Sequence, residues 1–190
     1  MIMALFSTAG PDIGTLRNAD GSYAYGIVGY AYGPSAATFT RPNDTNAYTA
    51  LDVVADSTSS PSVLEFDGIG ATGGHIMLSD VTFLCTGNAV PPTLGVLRLH
   101  LYNIAPTAIA DNAAYNLPVA DRDKYVGYVD IPTPVDLGDT IWSQAKEINK
   151  TIKLASGDNK LYGILQTIEA CGAAASLGIT ISLSAIEVGR

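Results

Sequence analysis

The segment Leu97-Arg-Leu-His-Leu-Tyr102 decides the fold class. Its odd-numbered positions are leucines, and its even-numbered positions carry side chains with polar tips. A period of two is that of a β-strand with one buried face. We therefore expect the leucines to point into a core and Arg98, His100 and Tyr102 to point outward.

The same period recurs from Tyr48 onward, between turns rich in glycine, proline and asparagine. Further strands are predicted at 51–55, 63–66, 75–85, 125–131, 151–154, 161–170 and 179–186. Two short helices are predicted, at 107–115 and 142–149. Because strands dominate and no strand-helix-strand rhythm occurs, the predicted fold is all-β, an antiparallel β-sandwich of jelly-roll type with an extended N-terminal arm.

The predicted strand at 75–85 keeps the period of two but changes its phase halfway. Apolar side chains occupy even positions before residue 79 and odd positions after residue 80. One inserted residue shifts the parity of a strand. A β-bulge near Ser79-Asp80 is therefore predicted.

The chain before Asn46 has a different composition. The stretch 22–33 repeats tyrosine and glycine with almost no charge, which suits neither a helix nor a free linker. We predict two regions, an extended arm at 1–46 and the sandwich at 47–190. Tyrosine offers a rigid, amphipathic contact surface, so the arm is expected to dock on another protein surface. The predicted contact residues are Tyr23, Tyr25, Ile27, Val28, Tyr30 and Tyr32.

The composition favours self-association. The chain has 190 residues, of which 47% are hydrophobic and 15% are charged, whereas about 25% of residues are charged in an average globular domain. One domain core of this size does not need so much apolar side chain. Some of it is expected to be buried between subunits of a homo-oligomer.

The net charge of −8 argues against nucleic acid as a partner, because such a field repels phosphate. The uncharged stretches 21–40 and 170–186 are too polar or too broken for membrane helices. The first six residues lack the basic start of a signal peptide. The protein is expected to be made in the cytoplasm and to bind no membrane.

No catalytic constellation emerges from the motifs. Gly68-Ile-Gly-Ala-Thr-Gly73 matches a dinucleotide-binding pattern, but a strand rather than a helix follows it, so a glycine-rich hairpin loop is predicted. His75 and His100 have neither zinc-ligand spacing nor a nucleophile motif. The chain is predicted not to be an enzyme and to need no cofactor.

The carboxylates and thiols are also predicted to have no catalytic or metal-binding role. Asp121-Arg-Asp123 and Gly157-Asp-Asn159 offer oxygen ligands without the spacing of a calcium loop, so turn carboxylates are favoured and no metal is predicted. Cys85 and Cys171 are expected to be buried thiols, with a disulfide between them as the alternative. Sequence places no two acids at the separation that glycoside hydrolysis needs. The acids considered are Glu65, Asp67, Asp80, Asp111, Asp121 and Asp123.

Several segments resemble virion structural proteins of tailed bacteriophages, over residues 48–188. They are 97–118 (LRLHLYNIAPTAIADNAAYNLP), 121–127 (DRDKYVG), 73–76 (GGHI), 152–155 (IKLA), 161–165 (LYGIL) and 184–188 (SAIEV). The resemblance implies a capsid-associated role, either as a decoration or cement protein or as a related accessory subunit, and it brings no catalytic residues. The arm lies outside it.

The resemblance and the residue-level analysis lead to one functional hypothesis. The chain is expected to be a non-enzymatic virion protein on a phage capsid surface, with the major capsid protein and further copies of itself, as a homotrimer, for partners. A phage tail or baseplate subunit is one alternative. A carbohydrate-binding module is another, with Trp142, Tyr125 and Tyr128 as candidate aromatic contacts.

Overall fold

The computed structural model describes residues 15–17, 23–25, 30–87, 90–91 and 93–189. Nearly all of its regular structure is β. The strands are β1 Thr15–Arg17, β2 Tyr23–Tyr25, β3 Ala31–Thr40, β4 Val53–Val54, β5 Leu64–Phe66, β6 His75–Thr86, β7 Leu97–Tyr102, β8 Tyr125–Ile131, β9 Val135–Asp136, β10 Thr140–Ala145, β11 Lys150–Lys153, β12 Leu161–Thr167 and β13 Gly178–Gly189. A short 3-10 helix at Val119–Lys124 precedes β8.

Two antiparallel sheets form the sandwich. The first runs in the order β3-β13-β6-β10-β9, with β11 beside β6, and the second runs β4-β12-β7-β8, with β5 beside β12. Without the short strands β9 and β11, and with β4 and β5 counted as one, the sandwich has eight strands. Numbered 1 to 8 in chain order, they lie in the order 1-8-3-6 in the first sheet and 2-7-4-5 in the second. This connectivity is that of a jelly roll, so the predicted fold class is confirmed. The main core lies between the sheets, where the leucines of β7 are fully buried.

The predicted irregularity in β6 is present. Ser184 of β13 pairs with Asp80, and the next residue, Ala185, pairs with Leu78, so that Ser79 is left without an opposite residue. Buried positions are even before this point and odd after it. The β-bulge lets one strand of twelve residues keep its apolar side chains on the core face.

The boundary of the arm differs from the prediction. Residues 31–40 form β3, which pairs with β13 along the edge of the first sheet. The compact units are 1–30 and 31–190, so the sandwich begins at Ala31 rather than at residue 47. Within the first unit, β1 pairs with β2 as an antiparallel pair, where an extended segment was predicted. The strand was not predicted, because the glycines of 22–33 weaken the local preference for β-structure. It forms because cross-strand pairing with β13 outweighs that weak preference.

Neither predicted helix forms. Residues 142–145 belong to β10, whose side chains alternate between core and surface, and Glu147 and Asn149 adopt positive φ in the turn that follows. Residues 107–115 lack helical hydrogen bonding and belong to the segment 103–118, which covers part of the outside of the second sheet. There Asp111 turns inward to accept hydrogen bonds, and Asn112 has a φ of 61°.

This covering segment corrects the expectation for β7. His100 and Tyr102 were expected to face outward into solvent, but they are only 5% and 1% exposed. Tyr102 packs in a second, smaller core with Val53 and Ile164, closed by Tyr115 and Leu117. The second sheet is therefore buried on its core face and, at His100 and Tyr102, also on its outer face.

Candidate assembly surface

The first sheet carries a surface that no described segment of residues 31–189 covers. Its strands place side chains in cross-strand rows on the side away from the core. The first row is Val135, Trp142, Leu84, Thr180 and Thr38. The second row is Gln144, Thr82, Ser182 and Ala36, and the third is Thr151, Met77, Ile186 and Ala31. We call these three rows the outer face.

The outer face is uncharged along all three rows, although the chain as a whole has a net charge of −8. Its hydroxyls bond to each other, as at Thr38 and Thr180, whose oxygens are 3.0 Å apart. Asp80 lies between the second and third rows, and its carboxylate accepts hydrogen bonds from Ser79, Gln144 and Ser184. A partner that covers the rows therefore meets one carboxylate, whose oxygens already accept hydrogen bonds from neutral donors.

One end of the outer face is apolar. Trp142 lies between Val135 and Leu84, and the turn after β9 adds Leu137, which shares the parity of Val135. Val135 is 49% exposed and Leu137 is 63% exposed. Large apolar side chains grouped at a surface mark interaction sites in soluble proteins. Sequence analysis did not identify this group, because it predicted a helix at Trp142.

The opposite side of the sandwich is closed by its own residues. His100 of β7 stacks on Tyr115 of the covering segment and bonds through its two ring nitrogens to Tyr125 (3.1 Å) and Gln166 (2.9 Å). Burial is the largest influence on His100 and lowers the pKa of its imidazole below the ordinary value of 6.5. His100 is thus a structural residue of a buried aromatic cluster.

The three aromatic candidates for a carbohydrate platform do not lie together. Tyr125 and Tyr128 are on β8 of the second sheet, whereas Trp142 is on β10 of the first. Tyr125 is half-buried against His100, and the guanidinium of Arg98 covers the Tyr128 ring at 3.8 Å. Arg98 also forms an ion pair with Asp130 at 2.7 Å.

Two of the candidate carboxylates are buried and fully engaged by the chain itself. Asp111 accepts hydrogen bonds from Arg41 (2.9 Å), from the Tyr48 hydroxyl (2.7 Å) and from the Ala55 backbone N–H (2.9 Å). This contact fastens the covering segment to both sheets. The Arg41 guanidinium donates further to the Ala174 carbonyl (2.8 Å), while its Nε has no partner among the described residues.

Asp121, the other buried carboxylate, accepts bonds from the Thr107 backbone N–H (2.9 Å) and from Lys124 (2.7 Å). The hydrogen bond from Lys124 is the main cause that lowers the pKa of Asp121. In the other calcium candidate, Asp158 bonds to the Asn159 N–H and to the Tyr162 hydroxyl. Among the described residues, no group of three or more His, Cys, Asp or Glu side chains is placed to hold a metal ion.

The glycine-rich motif has a packing role. It connects β5 to β6, which lie in different sheets, so the predicted hairpin loop is instead a crossover between sheets. Gly68 and Gly73 adopt positive φ, and a Cβ on Gly70 would collide with Ile76 and Leu154. These demands explain the glycines without a phosphate ligand.

Both cysteines are buried and free, so the disulfide alternative is not realised. Burial raises the pKa of the Cys85 thiol to about 11 and also raises that of Cys171. The described part of the chain contains no helix long and apolar enough to cross a membrane.

The predicted contact tyrosines divide between the two units. Tyr23 and Tyr25 form part of β2, and Tyr30 is 47% exposed at the junction. Tyr32 belongs to β3 in the sandwich, where its hydroxyl donates to Glu187 at 2.9 Å. Ile27 and Val28 lie outside the described residues. The role of these residues in subunit contacts stays a prediction.

No protein-family model and no curated protein sequence matches this chain. Among solved structures, a chain from the heated full particle of Israeli acute paralysis virus is 14% identical, with a TM-score of 0.30, over 100% of this chain and 86% of that chain. A chain from the crystal structure of the same virus is 14% identical, with a TM-score of 0.27, over 99% of this chain and 82% of that chain.

A third similar chain comes from a marine algae virus of the order Picornavirales. It is 13% identical, with a TM-score of 0.25, over 100% of this chain and 84% of that chain. At such identities and TM-scores the likeness supports no functional argument. The assignment of this chain to the jelly-roll fold rests on its own strand order.

Proposed function

We propose that this chain is a structural subunit of a virus particle, and more specifically a decoration or cement subunit that binds and stabilises a bacteriophage capsid from outside. The observation that carries the proposal is the outer face, which is uncharged and has Trp142, Leu84 and Val135 at one end. The resemblance of residues 48–188 to tailed-phage virion proteins supplies the identity of the partner.

The asymmetry of the sandwich supports docking through the outer face. Residues 103–118 cover part of the second sheet, whereas no described segment of residues 31–189 covers the rows of the first sheet. Such a flat, neutral surface suits a protein partner better than a small molecule, because small-molecule sites are concave.

The proposed partners are the major capsid protein and further copies of this chain, as a homotrimer on the capsid surface. A symmetric oligomer presents several outer faces to a symmetric lattice. Several weak contacts then act together and make attachment far tighter than one contact alone. No nucleic acid or membrane takes part in this proposal.

The test uses capsids of the encoding phage assembled without this protein, to which the purified full chain is added. Trp142→Glu places a charge in the apolar end of the outer face and is expected to reduce co-sedimentation at least tenfold. Tyr128→Glu, a change at an exposed aromatic residue of the other sheet, is the matched control. Equal binding by both variants would exclude the outer face as the docking surface.

A tail or baseplate subunit is the second candidate function, since the outer face suits any neutral protein partner. Separated heads and tails of the purified virion distinguish the two. Mass spectrometry is expected to find this chain in heads that lack tails. Its recovery with tails alone would transfer the assignment to the tail.

A further inference from the structure

A cleft of about 410 Å3 opens between edge strands of the two sheets. β3 lines one side, and β4 and β5 line the other. Its lining includes small residues, such as Ala37 and Gly163, and also large apolar ones, such as Phe39, Leu64 and Ile109. A volume of about 410 Å3 leaves room for side chains that enter from outside.

Hydrogen bonds fasten the cleft at both ends. At one end the Ser35 hydroxyl donates to the Asp67 carbonyl at 2.7 Å. At the other end Arg41 pairs with Asp111, which also holds the backbone of Ala55. Between these two ties, β3 is paired with β13 alone in the described part of the chain.

The backbone groups that face the cleft follow from the register. The Arg41 N–H donates to the Leu177 carbonyl at 2.9 Å, and Thr40 stands opposite Gly178. In an antiparallel pair, hydrogen-bonded and non-hydrogen-bonded positions alternate. Ala36, Thr38 and Thr40 are therefore non-hydrogen-bonded positions, whose N–H and C=O groups point away from β13 toward the cleft. A neutral edge of this kind is a template for another strand.

We propose that residues 1–6 of a second copy of this chain add to β3 as an extra strand and place their side chains in the cleft. The proposal rests on the self-association proposed above and names the segment and the site that produce it. Met1-Ile-Met-Ala-Leu-Phe6 is entirely apolar and uncharged. Its apolar side chains can pack against the apolar residues of the lining, among them Phe39, Leu64 and Ile109.

Length and charge both fit this occupant. Residues 36–40 extend over about 17 Å, at about 3.3 Å per residue, which six added residues can span. Because β1 pairs with β2, the reach is set by the 14 residues before β1 and the five between β2 and β3, at most roughly 65 Å when extended, which can reach a neighbouring copy. Two chains with a net charge of −8 repel each other, whereas the donated segment carries no charged side chain. Added main-chain hydrogen bonds supply the affinity, as in other strand-addition complexes.

Cysteine cross-linking of full chains tests the contact directly. One chain carries Thr38→Cys, and an isotope-labelled chain carries Ile2→Cys, Ala4→Cys or Phe6→Cys in turn. Because Cys85 and Cys171 are buried, mild oxidation of each mixture is expected to give a disulfide between a labelled and an unlabelled chain for at least one donor position. If no donor position gives a mixed dimer while the oligomer persists, the strand exchange is refuted.

A chain that carries both substitutions, oxidised at high dilution, shows whether the segment inserts into its own cleft. Cross-linking within one chain, instead of between chains, would overturn the assignment to a second copy. Only covalent dimers formed from the mixed chains support it.

A backbone variant gives an independent readout. Thr38→Pro removes one N–H that faces the cleft and leaves the β13 ladder intact, and Thr38→Val is its control because it loses the hydroxyl but keeps the N–H. Light scattering is expected to show at least a tenfold higher dissociation concentration for Thr38→Pro only, with circular dichroism as the check on folding. A folded Thr38→Pro that assembles like the wild type overturns the proposal.

These outcomes separate the strand exchange from the proposed function. If the exchange fails while wild-type chains still bind capsids, the decoration role stands and another contact joins the copies. If the cross-link forms while capsids are not bound, the exchange stands alone. Should Thr38→Pro fail to fold, the cross-linking result decides.

Discussion

The imidazole of His100 lies flat against the phenol ring of Tyr115, with 3.7 Å between ring centroids and 9° between ring planes. The Tyr115 hydroxyl is 2.7 Å from the hydroxyl of Tyr102. His100 and Tyr102 belong to β7, whereas Tyr115 belongs to the covering segment 103–118. This stack therefore attaches the covering segment to the second sheet.

Loss of the Tyr115 ring is expected to destabilise the fold. Tyr115→Ala removes a half-buried aromatic ring from the stack and leaves a cavity, at a cost of about 3 kcal/mol in the free energy of unfolding. Tyr115→Phe keeps the ring and loses one hydrogen bond, at a cost of about 1 kcal/mol. Urea unfolding followed by fluorescence measures both. Equal losses for the two variants would show that the hydroxyl, and not the stacking, holds the segment.

Stability is expected to fall as the pH drops below 6.5, and His100 is the cause. Burial lowers the pKa of His100, an effect that the nearby Arg98 increases and that Gln166 and Asp130 oppose. The unfolded chain therefore binds the proton more readily than the folded chain, so stability is complete above the unfolded pKa and decreases below it.

Urea midpoints at pH 8.0 and pH 5.5, as experimental conditions, measure this dependence. The wild type is expected to have the lower midpoint at pH 5.5, and His100→Gln is expected to reduce the difference. His75→Gln is the control, because it removes the second of the two histidines, which lies half-buried at the start of β6. An undiminished difference in His100→Gln would assign the effect to other groups.

The buried ion pair between Arg41 and Asp111 is expected to be sensitive to the loss of one partner. Asp111→Ala leaves the buried Arg41 guanidinium with its longer carboxylate contact, to Asp44 at 3.4 Å, and is expected to cost about 3 kcal/mol. Tyr48→Phe removes only one hydrogen bond to Asp111, at about 1 kcal/mol. Unfolding by urea gives both values. A cost for Asp111→Ala no larger than that for Tyr48→Phe would contradict the role of Asp111 as the tie between the sheets.

Two truncations test where the sandwich begins. Removal of residues 1–29 leaves β3 and Arg41 in place, so the remaining chain is expected to fold cooperatively. Removal of residues 1–46 deletes the edge strand beside β13 and the partner of Asp111, so a large loss of stability is expected. Circular dichroism during thermal unfolding compares the two. A fully stable 47–190 chain would instead support the boundary at residue 47 that was predicted from composition.

Local sequence determined the alternating strands and the bulge in β6. In these segments the side-chain period and the burial on one face agree, as at Leu97, Leu99 and Leu101. The shift of parity at Ser79 was visible because each buried position carries an apolar residue. Composition also indicated excess apolar surface, and the structure places part of it at Trp142, Val135 and Leu137.

Tertiary structure alone decided which faces are covered and which edges are free. His100 and Tyr102 alternate with leucines as surface residues do, yet residues 103–118 fold over them and bury them. Strand β3 follows a glycine-rich stretch, and its pairing with β13, more than 130 residues later in the chain, makes it a strand. Both outcomes depend on contacts between residues far apart in sequence. Such contacts cannot be predicted from a local pattern of hydrophobicity.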